Sequence, residues 1–408
     1  MKILHFADAH IDIANYGRQD PKTGLPLRVL DFLRSLDTIV DTALREKVDL
    51  VLFAGDAYKD RAPSPTFQRE WGARIIRLSQ ARIPTLLLVG NHDLSPAFGR
   101  AHAIQEFDTL QVPYVRVLAK PQLLRPNDLW GLPLQVIALP WVTRSGLIAN
   151  LDLHNDALKD VSLQIEEVVS ELVHQWLDQA DPTLPTVLLA HASVQGAVYG
   201  SERSVMLGND LVLSQALVKD PRLDYVALGH IHKAQNLNEG GHPPVVYPGS
   251  IECVDFGEAE DEKFFVVAEI EKGKTRLEWR KIIGTRRFID RFVRIQSAEK
   301  VMAAILEALP PAEELKEAIL RLTVEYPREL ETLLDEMTLR RHCRDAFEFH
   351  FIRRPIHPSR LRLPQDRSVA SLSPIELLEC YWRSLHLDDE QIATLKTLAL
   401  EVLSEQEE

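Results

Sequence analysis

Thr85-Leu86-Leu87-Leu88-Val89-Gly90-Asn91-His92-Asp93 is the stretch on which the fold turns. An unbroken apolar run ends in a glycine, followed at once by an amide, an imidazole and a carboxylate. A short apolar run without polar alternation reads as a strand buried on both faces. A polar cluster at the carboxyl end of such a strand lies where open α/β sheets bind ligands.

Working outward, the same grammar recurs. Lys2–Phe6 runs into Asp8-Ala9-His10, and Leu50–Phe53 into Gly55-Asp56. Thr186–Ala190 precedes His191, and Tyr225–Leu228 precedes Gly229-His230-Ile231-His232. Val136–Leu139 is a further buried strand, and Leu27–Glu46, Thr66–Gln80 and Val161–Gln179 carry apolar residues at helical spacing. Strands alternating with helices predict an α/β layered domain. Val245–Tyr247, Phe264–Ile270 and Arg276–Ile283 read as a run of antiparallel strands.

The residue types at the strand ends suit two metal ions. Alternate residues leaving a strand point the same way, so Asp8 and His10 can reach one ion. Asp56 offers two oxygens, and Asn91 a neutral one. Gly55, Gly90 and Gly229 let the backbone turn sharply beneath these groups. Mixed oxygen and imidazole donors suit Mn, Fe or Zn better than Ca. Paired cations polarise a phosphoryl group and turn a bound water into a nucleophile. His92, beside Asp93, is placed to protonate a leaving oxygen or to stabilise its charge. Each motif alone is a common strand-end turn; their order and uniform placement carry the reading. His5, His102, His154, His174, His342, His350, His357 and His386 are assigned to packing or surface.

The composition frames the rest. The chain has 408 residues, enough for two or three domains, and a net charge of −13. An acidic total argues against tight nucleic-acid binding by the chain alone but leaves room for local basic clusters. Such clusters are Arg280, Lys281, Arg286, Arg287, Arg291 and Arg294, then Arg340, Arg341, Arg344, Arg353, Arg354, Arg360 and Arg362. Cys253, Cys343 and Cys380 form no C-x-x-C pair, which argues against a zinc ribbon or a disulfide framework and points to reduced thiols. The amino terminus has no signal-peptide pattern and no apolar run reaches membrane-spanning length, so a cytoplasmic protein with no membrane partner is expected.

The pattern changes near residue 285. A strand at Phe292–Ile295, a helix at Glu299–Leu309, a strand at Ile319–Glu325, a helix at Leu330–Leu339 and a strand at Phe347–Ile352 predict a compact α+β unit. Pro355, Pro358 and Pro364 mark a linker. Two amphipathic helices close the chain, with Leu377, Leu378, Tyr381, Trp382 and Leu385 on one face and Ile392, Leu395, Leu398, Ala399 and Val402 on the other helix.

These residues resemble the calcineurin-like metallophosphoesterase superfamily and, within it, the SbcD family, the nuclease subunits of bacterial SbcCD complexes. The resemblance rests on the strand-end motifs and on the text around them. That text is His191-Ala192-Ser193-Val194-Gln195-Gly196-Ala197 with Ser201-Glu202-Arg203, Asp224 through His232, Tyr247-Pro248-Gly249-Ser250, Phe256-Gly257-Glu258 and Leu372 through Leu377. It implies a four-layer metallophosphoesterase sandwich, two mixed sheets flanked by helices, over 1–285. A small α+β capping domain over 286–365 and a C-terminal helical pair over 366–408 would follow.

The resemblance further implies one ion on Asp8, His10, Asp56 and His232 and another on Asp56, Asn91, His191 and His230. His92 would be catalytic, with Asp93 orienting it, and manganese would be the metal. The implied activity is a DNA 3′–5′ exonuclease and endonuclease in double-strand-break processing, acting on double- and single-stranded ends and hairpins and associated with the nucleoid. The implied partners are an SbcC-type ABC ATPase bound by the tail and a second copy of the chain. Phe67, Trp71, Ile75, Phe98 and Phe107 are candidates for the homodimer contact. The rival reading is a phosphatase or cyclic-nucleotide phosphodiesterase with the same paired metals. Asp12, where the family often has Gly, and Lys59-Asp60 after the second motif depart from the pattern.

Overall fold

The computed structural model describes residues 1–16, 18–94, 100–141, 161–200, 211–356, 372–384 and 387–404. The chain divides into two compact units. The first comprises Met1–Asp290 with the short segments Lys316–Leu320 and Ala346–Glu348.

Two six-stranded sheets build this unit. In chain order the strands are β1 Lys2–Phe6, β2 Leu50–Phe53, β3 Thr85–Leu88, β4 Val115–Leu118, β5 Gln122–Leu124, β6 Gln135–Leu139, β7 Thr186–His191, β8 Ser193–Val194, β9 Val212–Leu213, β10 Tyr225–Gly229, β11 Gln235–Asn236, β12 Val245–Tyr247, β13 Phe264–Glu271 and β14 Lys274–Lys281. One sheet has the order β14-β13-β1-β2-β3-β4 and the other β11-β12-β10-β7-β6-β5; β8 and β9 form a small separate pair. Parallel pairing runs through β1, β2, β3 and β4, with β13 antiparallel at the side of β1. Parallel pairing likewise runs through β6, β7, β10 and β12.

Side-chain alternation sorts the strand residues into layers. Ile3, Leu50, Leu52, Leu86 and Leu88 of the first sheet pack against Val136, Ala138, Val187, Leu189 and Ala227 of the second. Leu4, Phe6, Val51 and Phe53 face outward onto Val29, Phe32 and Leu36 of the helix Leu27–Glu46. Ile137, Leu188, Val226 and Leu228 face outward onto Val169, Val173 and Leu177 of the helix Val161–Gln179. Helix, sheet, sheet and helix thus form the four expected layers. The central strands have no exposed residue because both their faces are covered, which is why they read as uninterrupted apolar runs.

Three readings of this unit need correction. β12 does not continue into β13: it pairs in parallel with β10, whereas β13 and β14 are an antiparallel hairpin in the other sheet. β4 and β5 were not expected, because they are short and half-exposed. Trp71, Ile75 and Phe107 cannot line a dimer surface, since all are buried in the core, with Trp71 against Phe53 at 4.9 Å between ring centroids. Phe67 is partly buried against the same core, and Phe98 lies outside the described residues, as do Ser201-Glu202-Arg203, Arg360, Arg362 and Leu385.

The second unit comprises Arg291–Leu315, Arg321–Asp345 and Phe349–Glu408. The strands β15 Phe288–Arg294, β16 Ile319–Pro327 and β17 Glu348–Ile356 form a sheet in that order and contribute most of their residues to this unit. One helix spans Val301–Ala308, and the predicted helix 330–339 is instead a 3-10 turn, Arg328–Leu333, then a helix, Glu336–His342. Asp335 causes the break: its side chain accepts from Thr338 N and caps the second helix. The closing helices Pro374–Ser384 and Asp389–Ser404 pack on each other, and Lys396 pairs with Glu379 across them. Among the described residues, no helix is long and apolar enough to cross a membrane.

Candidate metal centre

The loops after β1, β2, β3, β7 and β10 meet at one edge of the two sheets. The backbone after β1 is zippered onto that after β2: Asp8 N donates to Gly55 O at 3.0 Å, and Ala9 N to Asp56 O at 2.8 Å. Asp8, His10, Asp56 and His230 all take positive φ, at 50°, 41°, 64° and 98°. Each such residue costs of order 1–3 kcal/mol and persists only where its surroundings hold it. The turns, rather than simple strand alternation, therefore gather Asp8 and His10.

Two groups of buried side chains result, Asp8 with His10 and His232, and Asp56 with His191 and His230. In the first, the Nε2 atoms of His10 and His232 face each other at 3.1 Å. Their Nδ1 atoms are engaged elsewhere, that of His10 with Tyr58 O at 3.2 Å and that of His232 with Glu258 Oε1 at 2.6 Å. Carbonyl and carboxylate oxygens only accept, so both Nδ1 atoms carry the proton and both Nε2 atoms present electron pairs. Two such nitrogens at this separation call for a cation between them.

The second group repeats the device. His191 Nδ1 donates to Ala54 O at 2.6 Å, while its Nε2 lies 2.9 Å from Asn91 Oδ1 and 3.4 Å from Asp56 Oδ2. His230 Nδ1 lies 3.1 Å from the same Asn91 oxygen. Asp56 Oδ2 is also 4.0 Å from His10 Nε2, so this one oxygen stands between the two groups. Asp56 Oδ1 accepts the backbone N–H of His92 at 2.8 Å. Oδ2 is thus the Asp56 oxygen that faces both groups, while Oδ1 ties down the backbone at His92.

The charges show where a cation would act: the proton that His191 holds beside Asp56 is the positive charge that a bound ion would replace. Burial works against ionisation of Asp56, but His191 and its neighbours hold the carboxyl far below its usual range. Burial raises Asp8 to about 7 against the pull of His232. Burial also opposes protonation of His191, yet Asp56 lifts its imidazole to about 9. The pocket draws positive charge, and the donor set fits divalent ions.

His92 sits at the rim with its ring perpendicular to that of His10, centroids 5.2 Å apart. Its Nδ1 donates to Lys59 O at 2.8 Å, which leaves Nε2 for chemistry. The expectation that Asp93 orients His92 is wrong. Both Asp93 oxygens are spent on backbone amides: Gly90 N at 2.8 Å, Asp56 N at 2.9 Å and Ala57 N at 3.0 Å. Asp93 ties the second and third motifs together. The glycines also act differently from expectation. Only Gly55 has positive φ, whereas a Cβ on Gly90 would lie 2.2 Å from Asp56 Oδ1 and one on Gly229 2.1 Å from Ala54 O. Close approach, more than turning, requires them.

Two supporting residues had no role assigned from the sequence: Trp141 was not singled out, and Glu258 stood only within the text that carries the resemblance. Trp141 lies past the end of β6, its ring 4.8 Å from His230 and 6.0 Å from His191. Its position after a strand end was the available signal. Glu258 holds His232, although burial alone would keep it neutral; Lys263 and His232 draw its carboxyl well below the usual range.

The family model for calcineurin-like phosphoesterases matches residues 1–234, which contain both groups and His92. The chain belongs to the calcineurin-like phosphoesterase family. Within curated phosphoesterases, it is 26% identical over 281 residues to the SbcD subunit of the SbcCD nuclease of Escherichia coli (strain K12), covering 67% of this chain and 66% of that protein. To the corresponding SbcD subunit of Rhodobacter capsulatus it is 29% identical over 256 residues, 59% of this chain and 60% of that one. To the DNA double-strand break repair protein Mre11 of Archaeoglobus fulgidus it is 26% identical over 260 residues, 64% of this chain and 52% of that one. The matched region spans just under two thirds of the first relative's length and about half of the last.

Of the basic clusters, Arg286 is half-buried, paired with Asp31 and stacked 3.8 Å from the Phe347 ring. Its guanidinium is committed to Asp31 and Glu317. Arg280, Lys281, Arg294, Arg340 and Arg353 each pair with a glutamate.

Proposed function

We propose that this protein is a manganese-dependent DNA nuclease subunit that hydrolyses phosphodiester bonds at DNA ends and hairpins, working with an SbcC-type ATPase in break processing. The observation that carries the phosphodiesterase part is the convergence of imidazole Nε2 atoms whose Nδ1 protons are already committed. The DNA part draws support from the likeness to the SbcD and Mre11 relatives.

In this reading Asp8, His10, His232 and Asp56 hold one ion, and Asp56, Asn91, His191 and His230 hold the other. The bound pair supplies Lewis acidity toward the phosphoryl oxygens and a water acidic enough to attack. The protein does the rest by positioning. Asp56 Oδ2 fixes the spacing of the two groups, and Asp93 locks the loops that carry Asp56 and Asn91. His92, whose Nδ1 proton rests on Lys59 O, turns Nε2 toward the leaving oxygen, where its imidazolium form would deliver a proton or stabilise the developing charge.

The second unit would add phosphate contacts through an open groove of about 920 Å3 lined by Arg294, Arg353 and Arg354 among others. The segment 366–408 would dock on the ATPase, with Tyr381, Leu398 and Leu400 among its exposed apolar residues. We further propose pairing with a second copy and residence at the nucleoid, as the resemblance drawn from the sequence implies.

The test uses the purified full chain with Mn2+ and linear or hairpin DNA, with and without the ATPase. Cleavage is expected, and His92→Ala should lose it while still binding two ions. Hydrolysis of small phosphomonoesters or cyclic nucleotides with no DNA cleavage in any mixture would replace this reading with the phosphatase one.

A further inference from the structure

The segment Tyr247–Glu258 contains text that the reaction itself does not use, Gly249-Ser250 and Phe256-Gly257-Glu258. In the structure both pieces address His232. Ser250 N donates to His232 O at 3.1 Å, and a Cβ on Gly249 would lie 2.5 Å from that same oxygen. Glu258 ends a 3-10 turn that Asp255 caps by accepting from Gly257 N at 2.7 Å. The turn is wedged in place by Phe256, whose ring meets Phe288 edge-on at 5.1 Å.

Glu258 is wholly buried. Its Oε1 accepts from His232 Nδ1 at 2.6 Å. Its Oε2 accepts from Lys263 Nζ at 2.6 Å, Ser250 Oγ at 3.0 Å and Val254 N at 3.0 Å. Lys263 is buried too and also donates to Ser250 Oγ at 2.8 Å. A buried carboxylate and a buried ammonium are costly singly, and each makes the other tolerable. Packing alone would be served by apolar residues of similar volume. His10 and His191, by contrast, rest their Nδ1 protons on neutral backbone carbonyls.

We infer that Glu258, backed by Lys263, is a positioning residue for one of the two metal ions: it fixes the Nδ1–H tautomer of His232 and aims Nε2 at the ion. The inference rests on the reading that Asp8, His10 and His232 hold an ion. A carboxylate behind a ligating imidazole raises its basicity and fixes its orientation, and losing such a partner costs about 10- to 100-fold in metal affinity. The effect falls on one site. The ion at Asp56, Asn91, His191 and His230 has no contact with Glu258 among those described.

The test is Mn2+ binding by equilibrium dialysis on the full chain, read beside the Mn2+ electron paramagnetic resonance spectrum. Wild type should bind two ions with a coupled signal, and His232→Ala one. Glu258→Gln should keep one ion at wild-type affinity, weaken the other about 10- to 100-fold, and convert the coupled signal to an isolated six-line one. The double variant Glu258→Gln, Lys263→Met removes both buried charges together and so keeps the fold; it should behave the same way, with the second ion returning at raised Mn2+. Two ions bound within threefold of wild type in either variant would overturn the inference. So would a second ion that no Mn2+ concentration restores, since that marks a purely structural role. If wild type binds no ion, or His232→Ala binds two, the underlying metal reading fails instead.

Discussion

Gly90 is the residue at which local geometry constrains the site most tightly. A Cβ there would meet Asp56 Oδ1 at 2.2 Å and Asp56 N at 2.6 Å, and both atoms are held from the other side by His92 N and Asp93. Nothing can yield without moving the oxygen that stands between the two ion positions. Gly90→Ala should therefore abolish the binding of both ions, with an overpacking cost of about 1–3 kcal/mol. Gly72 is the control: it lies within the helix Pro65–Gln80 with open space at its Cβ position, so Gly72→Ala should add about 0.5–1 kcal/mol and leave Mn2+ binding intact. Equal metal binding in the two variants, measured by dialysis beside thermal melts, would refute this account. The glycines were visible in the sequence as turn residues. Their true constraint is a contact with a residue 34 or more positions away, which spacing alone does not reveal.

At the scale of elements, the strands were legible and their partners were not. β1, β2, β3, β7 and β10 are covered on both faces, so each shows as a largely apolar run with its functional residue at or just beyond its end. Which sheet a strand joins depends on pairing at long range, and β12 was misassigned for that reason. The loop after β2 shows the same limit. Asp12 departs from the resembled pattern, and it is integrated here: Oδ1 accepts from Lys59 N at 2.5 Å and Oδ2 from Asp60 N at 2.8 Å. Lys59 in turn offers its carbonyl to His92. Asp12 thereby braces the loop that orients His92. Asp12→Ala should lower kcat by on the order of 10- to 100-fold through misplacement of His92, with KM and Mn2+ stoichiometry little changed. Loss of an ion in that variant would instead place Asp12 in support of the metals.

At the scale of the first unit, its two sheets are held face to face by an apolar layer that contains a polar pair. His5 of β1 and Tyr225 of β10 are both fully buried, with Nδ1 and the hydroxyl 2.9 Å apart and the rings edge-on at 5.8 Å. Burial drives the His5 pKa from 6.5 down to about 3, against a weaker opposing backbone contact at Leu228. The sign follows from proton uptake. Below pH 6.5 the unfolded chain protonates this imidazole, whereas the folded chain resists until about pH 3, so the unfolded state binds more protons across that window. Stability from His5 is thus complete above pH 6.5 and declines as the pH falls toward 3, with a ceiling of about 5 kcal/mol and about 2 kcal/mol already gone at pH 5. Other buried histidines add to the acid sensitivity, so the comparison must be differential. The double variant His5→Leu, Tyr225→Phe replaces the pair by apolar groups and leaves no lone polar atom behind. Hydrogen exchange of β1 and β10 amides in the metal-free chain should lose protection between pH 7 and pH 5 by about 2 kcal/mol less in the variant than in wild type. Equal pH slopes in the two proteins would mean that His5 is not the group that couples the packing of the two sheets to acidity.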